Sequence, residues 1–282
     1  MQKQYNNKCT SIFGDIITEE AQIGDAKVTV AHPSILKVIE QRKKLKEKLS
    51  NIKNKIGVYS AKGGVGKTTT TVNLAFTLKN LGYKVGILDA DIDCPNVCMF
   101  LGINYEAPGT FPIKPFEKDG VLVLSTAMFV DDNKQPIIWR GPMIGKMVAE
   151  FLENTEWGSL DYLLVDLPPG TSDAPLSIIQ LLDLKGFIIV TTPQHISAIN
   201  AIRSGMMAKR LGVSILGIVE NMSNGNPKGG LEVAEALNST LLGCIKQNTL
   251  FGELSDKGEV PSLKDKNINL QTVLPYFNLK FF

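Results

Sequence analysis

Glycines, lysines and hydroxyl side chains lie close together in residues 58–78, which read VYSAKGGVGKTTTTVNLAFTL. An apolar run ends at Ser60, glycines follow, and a helical pattern begins near Thr68. Such a turn between a strand and a helix directs backbone N–H groups and the positive helix end toward an anion. The pattern GxxxxGK[ST] is met except at its first glycine, where Ala61 stands. The stretch therefore predicts a nucleoside-phosphate site.

Each residue type in this loop has its own task in holding phosphate. Lys67 supplies positive charge to the β- and γ-phosphate oxygens, and the Thr68 hydroxyl is a ligand for Mg²⁺. A second lysine, Lys62, is not required by this chemistry. We expect the following residues to bind the nucleotide: Gly63, Gly64, Val65, Gly66, Lys67, Thr68 and Thr69.

Acidic residues follow two apolar, strand-like runs. Asp89 follows GIL and Asp91 comes two residues later, so both carboxylates face one side of an extended segment. Asp166 follows YLLV and precedes a Pro-Pro-Gly loop, in which the Gly170 N–H can report the γ-phosphate. We expect Asp166 to bond Mg²⁺-bound water or the Thr68 hydroxyl, and both Asp89 and Asp91 to face the phosphate loop. A surface turn rich in aspartate is the alternative for residues 89–93.

Apolar runs and helical segments alternate from Ile56 onward, which is typical of a parallel sheet covered on both faces. We therefore expect an α/β fold with one doubly wound, mostly parallel sheet and its ligand outside the carboxyl ends of the strands. We divide the chain into an N-terminal segment, 1–55, and a P-loop ATPase domain, 56–282. The expected strands begin near Lys55, Lys84, Val121, Asp161, Gly186, Ser214 and Thr240.

Residues 34–55, SILKVIEQRKKLKEKLSNIKNK, predict a basic amphipathic helix. Val38, Leu45 and Ile52 lie seven residues apart and form an apolar seam, while basic side chains crowd the other faces. Packing of the seam on the main domain or on a second copy is the favoured interpretation. Contact with an anionic surface is the alternative. The apolar C-terminal tail is likewise expected to pack on the domain, with an anchor for a partner or membrane as the alternative.

Composition argues against several classes of protein. The formal net charge of +2 is too small to predict nucleic-acid binding. No run of about 18 apolar residues occurs, so we expect no membrane span and no stable membrane association. Four scattered cysteines and the lack of a signal-peptide pattern favour a reducing cytoplasm.

The form KGGxGKT resembles the deviant phosphate loop of the MinD, ParA and Mrp branch of P-loop ATPases. The pieces GYKVGILDADID, RGPM, DYLLVDLPPGTSD, VTTPQ and GIVENMS are similar to the Mrp subgroup, over residues 56–261. The resemblance implies a homodimer that slowly hydrolyses MgATP, in which Lys62 reaches the nucleotide of the opposite subunit. It implies that Asp91 orients the attacking water or lies near Mg²⁺, and that Asp89 is a supporting Mg²⁺ ligand through water. It also implies that Asn221 contacts the adenine base, although an asparagine there can equally cap a strand-to-loop turn.

Mrp proteins carry or assemble iron–sulfur clusters, held by a CxxC pair soon after the ENMS segment. The resemblance thus implies cluster transfer to client apo-proteins, yet no cysteine follows ENMS here until Cys244. A bound cluster therefore needs other thiols. Cys94 and Cys98 would share a face if they were helical, which makes them candidates for an iron or cluster site. Small, half-buried side chains without metal are the favoured interpretation of this pair.

The absent CxxC leaves two alternatives open. One is a positioning ATPase similar to ParA or MinD, which carries no cluster. The other is a regulatory partner of a CxxC-bearing paralogue, to which this chain contributes a nucleotide and one half of a dimer.

Overall fold

The computed structural model describes residues 18–23, 26–31, 33–105, 112–129, 141–171 and 173–264. The chain divides into two compact units, Met1–Lys44 and Leu45–Phe282. This division precedes the predicted boundary at residue 55. The predicted apolar tail, Cys9 and the predicted RGPM arginine lie outside the described residues.

The smaller unit contains an antiparallel pair of strands, β1 (Thr18–Ile23) and β2 (Ala26–Ala31), in which Thr18 lies opposite Ala31. Helix α1 follows and spans Pro33–Lys48. The sequence did not lead us to expect the two strands.

The helix predicted over residues 34–55 is too long. Helix α1 ends at Lys48, and Ile52 begins strand β3 (Ile52–Tyr59). In β3, Ile52 lies opposite Leu160 of a neighbouring parallel strand. Backbone hydrogen bonds along this pairing outweigh the heptad spacing that favoured a helix, because tertiary context overrides local pattern. Ile52 is therefore a sheet residue, while Leu45 and Leu49 lie in the core of the larger unit.

The larger unit is built on an eight-stranded sheet with the order β10-β9-β8-β3-β7-β4-β6-β5. All neighbouring strands are parallel except β5 and β6. The predicted α/β, mostly parallel fold is confirmed. Besides β3, the strands are β4 (Val85–Asp89), β5 (Phe116–Lys118), β6 (Val121–Ser125), β7 (Leu160–Asp166), β8 (Gly186–Thr191), β9 (Ile215–Ser223) and β10 (Leu241–Lys246).

The path of the chain through this sheet creates the site. From β3 the chain winds toward one edge through β4 and β6, returns to β7 beside β3, and then winds toward the other edge through β8, β9 and β10. In doubly wound sheets, ligands bind outside the carboxyl ends of the strands where the winding reverses. The carboxyl ends of β3 and β7 occupy that position.

Helices lie between these strands and after the last of them. They are α2 (Lys67–Asn80), α3 (Val97–Phe100), α4 (Gly141–Asn154), α5 (Asp173–Leu181), α6 (His195–Arg210), α7 (Gly229–Ala236), α8 (Leu250–Asp256) and α9 (Pro261–Lys264). Every residue of α2 from Thr70 to Leu78 is buried, because the helix packs on the sheet and on α9. The Ser262 N–H of α9 donates to Asn73 Oδ1 over 2.9 Å. Helix α2 is therefore held against both the sheet and α9.

Among the described residues, no helix combines the length and the apolar character needed to cross a membrane.

Leu164 tests how far the sheet core stabilises the larger unit. It is fully buried in β7, between β3 and β4. We expect Leu164→Ala to lower the free energy of unfolding by about 2 to 5 kcal/mol, because it removes apolar contacts and leaves a cavity. Urea denaturation measures the change. Leu231→Ala, at a half-exposed position of α7, is the control and should change the free energy little. Equal losses in both variants would contradict the assignment of the core.

Candidate nucleotide-binding site

The loop between β3 and α2 has the backbone of a phosphate cradle. Gly64 and Gly66 adopt positive φ angles of 73° and 88°, where glycine is favoured. Gly66 directly precedes α2, and no side chain caps the N-terminus of this helix. No side chain thus competes for the N–H groups of the first turn, which is the arrangement that binds phosphate.

Asn221, at the end of β9, closes one side of the loop. Its Nδ2 donates to the Val65 carbonyl oxygen over 2.9 Å, and the residue is buried. A Cβ on Gly66 would lie 2.0 Å from the same Nδ2 atom, so only glycine fits beside it. Asn221 thus holds the loop. Whether it also contacts a base stays a prediction.

Lys67 and Asp166 face the mouth of this loop from different elements. Thr68 Oγ1 donates to Asp166 Oδ2 over 2.5 Å, and Thr71 Oγ1 donates to Asp166 Oδ1 over 3.2 Å. Burial raises the pKa of Asp166 to about 6, although the hydrogen bond from Thr68 and the positive charge of Lys67 act to lower it. Burial lowers the pKa of Lys67, although the negative charges of Asp166 and Asp91 act to raise it. The helix start is therefore tied to the end of β7.

Asp89 anchors the segment that carries Asp91. Its carboxylate is fully buried and accepts hydrogen bonds from Ser125 Oγ at 2.9 Å and from the Val97 N–H at 3.1 Å. Burial, and then the neighbouring charge of Asp166, raise the pKa of Asp89 well above its ordinary value. These contacts place Asp89 in a supporting position, and its predicted role through water stays a prediction.

Asp91 lies nearer the open side of the site. Its Oδ1 accepts the Cys94 N–H over 3.1 Å, and Thr126 Oγ1 donates to its carbonyl oxygen over 3.2 Å. Burial raises the pKa of Asp91, while the charge of Lys67 opposes this rise. The predicted role of Asp91 beside a γ-phosphate stays a prediction.

The oxygen atoms at the loop suit magnesium. Thr68 Oγ1 and Asp166 Oδ2 are hard ligands or partners of bound water, and Mg²⁺ completes its shell with phosphate and water oxygens. Among the described residues, no group of three or more His, Cys, Asp or Glu side chains is arranged to hold a metal by itself. Mg²⁺ bound with nucleotide would neutralise charge on the phosphates.

A second set of contacts joins the loop to the Pro-Pro-Gly segment after β7. The Gly170 N–H donates to the Ala61 carbonyl oxygen over 2.9 Å, and Tyr59 OH donates to the Gly170 carbonyl oxygen. The Ala61 N–H donates to Ser204 Oγ of α6 over 2.6 Å. Sequence reasoning missed Tyr59 and Ser204. A tyrosine inside an apolar strand was a weak signal, and nothing distinguished Ser204.

The predicted iron or cluster site does not have the geometry on which it was based. Only Val97–Phe100 is helical, so Cys94 precedes the helix and shares no helical face with Cys98. Cys94 is exposed, whereas Cys98 is buried and its pKa is raised to about 12 by burial. The physical reason is that Asp89 holds the Val97 N–H and starts the helix there, after Pro95. Cys244 is half-buried in β10.

Lys62 is half-exposed beside the loop. Its N–H lies 3.4 Å from Ser60 Oγ, which is a long contact. Its predicted action on a second subunit stays a prediction.

The fold and the loop together define a P-loop ATPase with a doubly wound α/β sheet. The chain belongs to the ParA family described as NUBPL iron-transfer P-loop NTPase, whose model matches residues 51–277. This confirms the predicted resemblance and the predicted class of enzyme.

Relatives and solved structures agree with this assignment. The iron-sulfur cluster carrier protein of Methanocaldococcus jannaschii is 44% identical over 237 residues, which cover 78% of this chain and 81% of that protein. The iron-sulfur cluster transfer protein NUBPL of Dictyostelium discoideum is 38% identical over 227 residues, 75% of this chain and 70% of that protein.

Among solved structures, the nucleotide-binding protein in complex with ADP from Archaeoglobus fulgidus matches with a TM-score of 0.69 and 31% identity. The match covers 84% of this chain and 96% of that one. The septum site-determining protein MinD with Mg-ADP from Pyrococcus horikoshii has a TM-score of 0.62 at 21% identity, covering 81% and 98%. This second likeness shows the fold alone.

Lys67→Ala tests the phosphate cradle. We expect the dissociation constant for MgADP to rise by roughly 100-fold, because the phosphates lose a buried, charged hydrogen-bond donor. Isothermal titration calorimetry measures this constant. Lys79→Ala, in the last turn of the same helix, is the control and should bind as the parent does. Unchanged affinity in Lys67→Ala would remove the site from this loop.

Proposed function

We propose that this protein is a homodimeric ATPase that binds and slowly hydrolyses MgATP, and that it acts in iron–sulfur cluster assembly or transfer to client proteins. The observation that carries the proposal is the phosphate loop tied through Thr68 to Asp166, in a chain of the iron-transfer P-loop family. Catalysis is a matter of positioning and charge neutralisation, without a covalent intermediate.

The segment after β7 supports a switch that follows the γ-phosphate. The Gly170 N–H is hydrogen-bonded to Ala61 of the phosphate loop itself. A bound γ-phosphate competes for such an N–H, so its arrival and loss move the segment. Asp91, on the segment after β4, orients the attacking water. ATP binding and hydrolysis are in this way converted into a change of shape.

Lys62 supports dimerisation around the nucleotide. It is half-exposed next to the loop, whereas Lys67 already supplies the buried charge. A second, half-exposed lysine adds nothing to the cradle from within, but it can complete the nucleotide site of a second subunit. Its logic is that of an arginine finger supplied in trans.

Lys62→Ala separates binding from dimerisation. We expect MgADP affinity close to that of the parent, together with loss of the ATP-dependent dimer and at least roughly a tenfold loss of turnover, since only the trans contact is removed. Light scattering after size exclusion measures the dimer, and phosphate release measures turnover. Lys114→Ala is the control, at an exposed lysine elsewhere in the chain. An ATP-dependent dimer that persists in Lys62→Ala would exclude the trans role.

A cleft beside the loop supports adenine binding. It has a volume of about 310 Å³. Its lining includes Thr69, Asn221, Met222, residues 246–249 and Phe251. An aromatic ring and an amide are the groups that hold a base by packing and hydrogen bonding.

Asn221→Ala tests the base contact against the structural role. If Asn221 only reads the base, the variant loses affinity for MgADP and retains affinity for inorganic pyrophosphate. If it only supports Val65, affinity for both ligands falls together. Because Asn221 also holds the Val65 carbonyl oxygen, we expect affinity for both ligands to fall, with roughly a further tenfold loss for MgADP, the value of one hydrogen bond to the base. Calorimetry with both ligands distinguishes these outcomes.

The loop after β9 favours a second candidate, that of a nucleotide-binding partner of a CxxC-bearing paralogue. This loop contains no cysteine and is held by its own hydrogen bonds. The buried Glu220 accepts the Lys228 N–H at 3.0 Å and the Gly230 N–H at 2.8 Å through Oε2. Asn224 Oδ1 accepts the Asn226 N–H over 3.1 Å. A cluster would then be held by the partner, while this chain contributes ATP.

Anaerobic reconstitution with iron and sulfide tests the cargo. We expect less than one cluster per dimer from this chain alone, because its described thiols do not converge. We also expect faster transfer from a CxxC-bearing relative to an apo-protein when this chain and MgATP are added. Absorption spectra and iron content measure both. A Cys94→Ser/Cys98→Ser variant is the control and should behave as the parent does. No effect on transfer would contradict the proposed function, and a stoichiometric cluster in this chain alone would contradict the partner role.

A further inference from the structure

A groove of about 460 Å³ lies between α5 and α6, outside the nucleotide site. Its apolar surface is unusual for a helix face that nothing covers in the described structure, since Met206 exposes 51% of its surface. Large apolar side chains that remain open to solvent in a concave setting mark binding surfaces. The groove contains Leu176, Ile202, Met206 and Met207, with Arg203 and Arg210.

The two arginines determine the charge of the groove. Arg203 and Arg210 lie seven residues apart on α6, which places them about 10 Å apart along the helix axis. Arg203 donates to Asn200 Oδ1 over 3.3 Å. Among the side chains that the structure describes, neither arginine forms an ion pair with a carboxylate. The groove therefore presents an apolar floor between two cations.

Residues of this groove are linked to the nucleotide loop by a short series of contacts. Met207 Sδ lies 3.9 Å from Tyr59 OH, and that hydroxyl donates to the Gly170 carbonyl oxygen. Thr171, the next residue along the chain, lines the groove. Ser204, on the same helix, holds the first residue of the phosphate loop through its hydroxyl. Movement of the segment at Gly170 thus reaches a wall of the groove through direct contacts.

We propose that the α5–α6 groove is a docking site for an acidic amphipathic helix of a partner protein, and that docking depends on the bound nucleotide. Two carboxylates one heptad apart on such a helix match the spacing of the two arginines, and apolar side chains between them fill the floor. The concave shape favours a helix over a flat lipid surface. The inference rests on the ATPase site and is independent of cluster transfer, so either can fail alone.

A labelled peptide tests the groove directly. The probe is a fluorescein-labelled helical peptide with two glutamates one heptad apart and leucines three and four residues after the first. Fluorescence anisotropy measures its binding to the full chain with MgADP and with a non-hydrolysable ATP analogue. We expect measurable binding that differs between the two nucleotide states, and roughly tenfold weaker binding to Arg203→Glu/Arg210→Glu, which replaces attraction by repulsion at both ends.

Matched controls separate the groove from general charge. Lys114→Glu/Lys228→Glu makes the same change of net charge at two exposed lysines outside the groove and should bind as the parent does. Tyr59→Phe removes only the hydroxyl and should reduce the difference between the two nucleotide states. ATPase activity of Arg203→Glu/Arg210→Glu should equal that of the parent, which shows that the variant is folded.

Four outcomes would overturn the proposal. They are no binding of the glutamate peptide in either nucleotide state, equal binding to both charge-reversed variants, equal binding of a peptide with lysines in place of the glutamates, and capture of the protein by phosphatidylglycerol vesicles through the same arginines. None of these outcomes depends on a cluster, whereas the proposed function is tested by cluster transfer.

Discussion

The hydrogen bond from Thr68 to Asp166 is the contact on which the rest of the site depends. It joins the first turn of α2 to the carboxyl end of β7, two elements that the chain separates by almost one hundred residues. β7 is itself the strand that returns beside β3 after the sheet has grown toward β5. Correct winding of the sheet is thus a precondition for a threonine and a carboxylate that can hold Mg²⁺ together.

The site contains charged side chains that are buried away from water. Asp89 and Asp166 are buried with raised pKa values, and Lys67 is buried with a lowered one. Burial of such groups is unfavourable unless charge and hydrogen bonds compensate. A triphosphate with its metal ion supplies the missing charges on both sides at once. The buried charges of the site are therefore best compensated when a ligand is bound. The packing of α2 on the sheet holds the phosphate loop in position for that ligand.

The close packing around the phosphate loop allows a local change at the nucleotide to affect more distant residues. The phosphate loop is held by Asn221 on one side and by Ser204 on the other, and it is bonded to Gly170 in front. Under the proposed function, a γ-phosphate that draws Gly170 away would alter its contact with Tyr59, which in turn contacts Met207 of α6. Packed interiors respond to such changes as units, because they deform little. In contrast, the loop after β9 is closed by Glu220 and takes no part in this chain of contacts.

The sequence by itself determined the type of fold, the phosphate loop and its two lysines, and the three aspartates, because each follows from local patterns such as glycine spacing and apolar runs. It also revealed the missing CxxC. Local pattern failed at residues 49–55, where a heptad spacing predicted a helix. The helix ends at Lys48, and pairing with β7 makes the chain a strand from Ile52. It failed again at Cys94 and Cys98, whose helical face was assumed. Only the tertiary structure decided that Tyr59, Ser204 and Asn221 support the loop. Their partners are distant in sequence, and a side chain's role depends on what the fold brings within hydrogen-bonding distance of it.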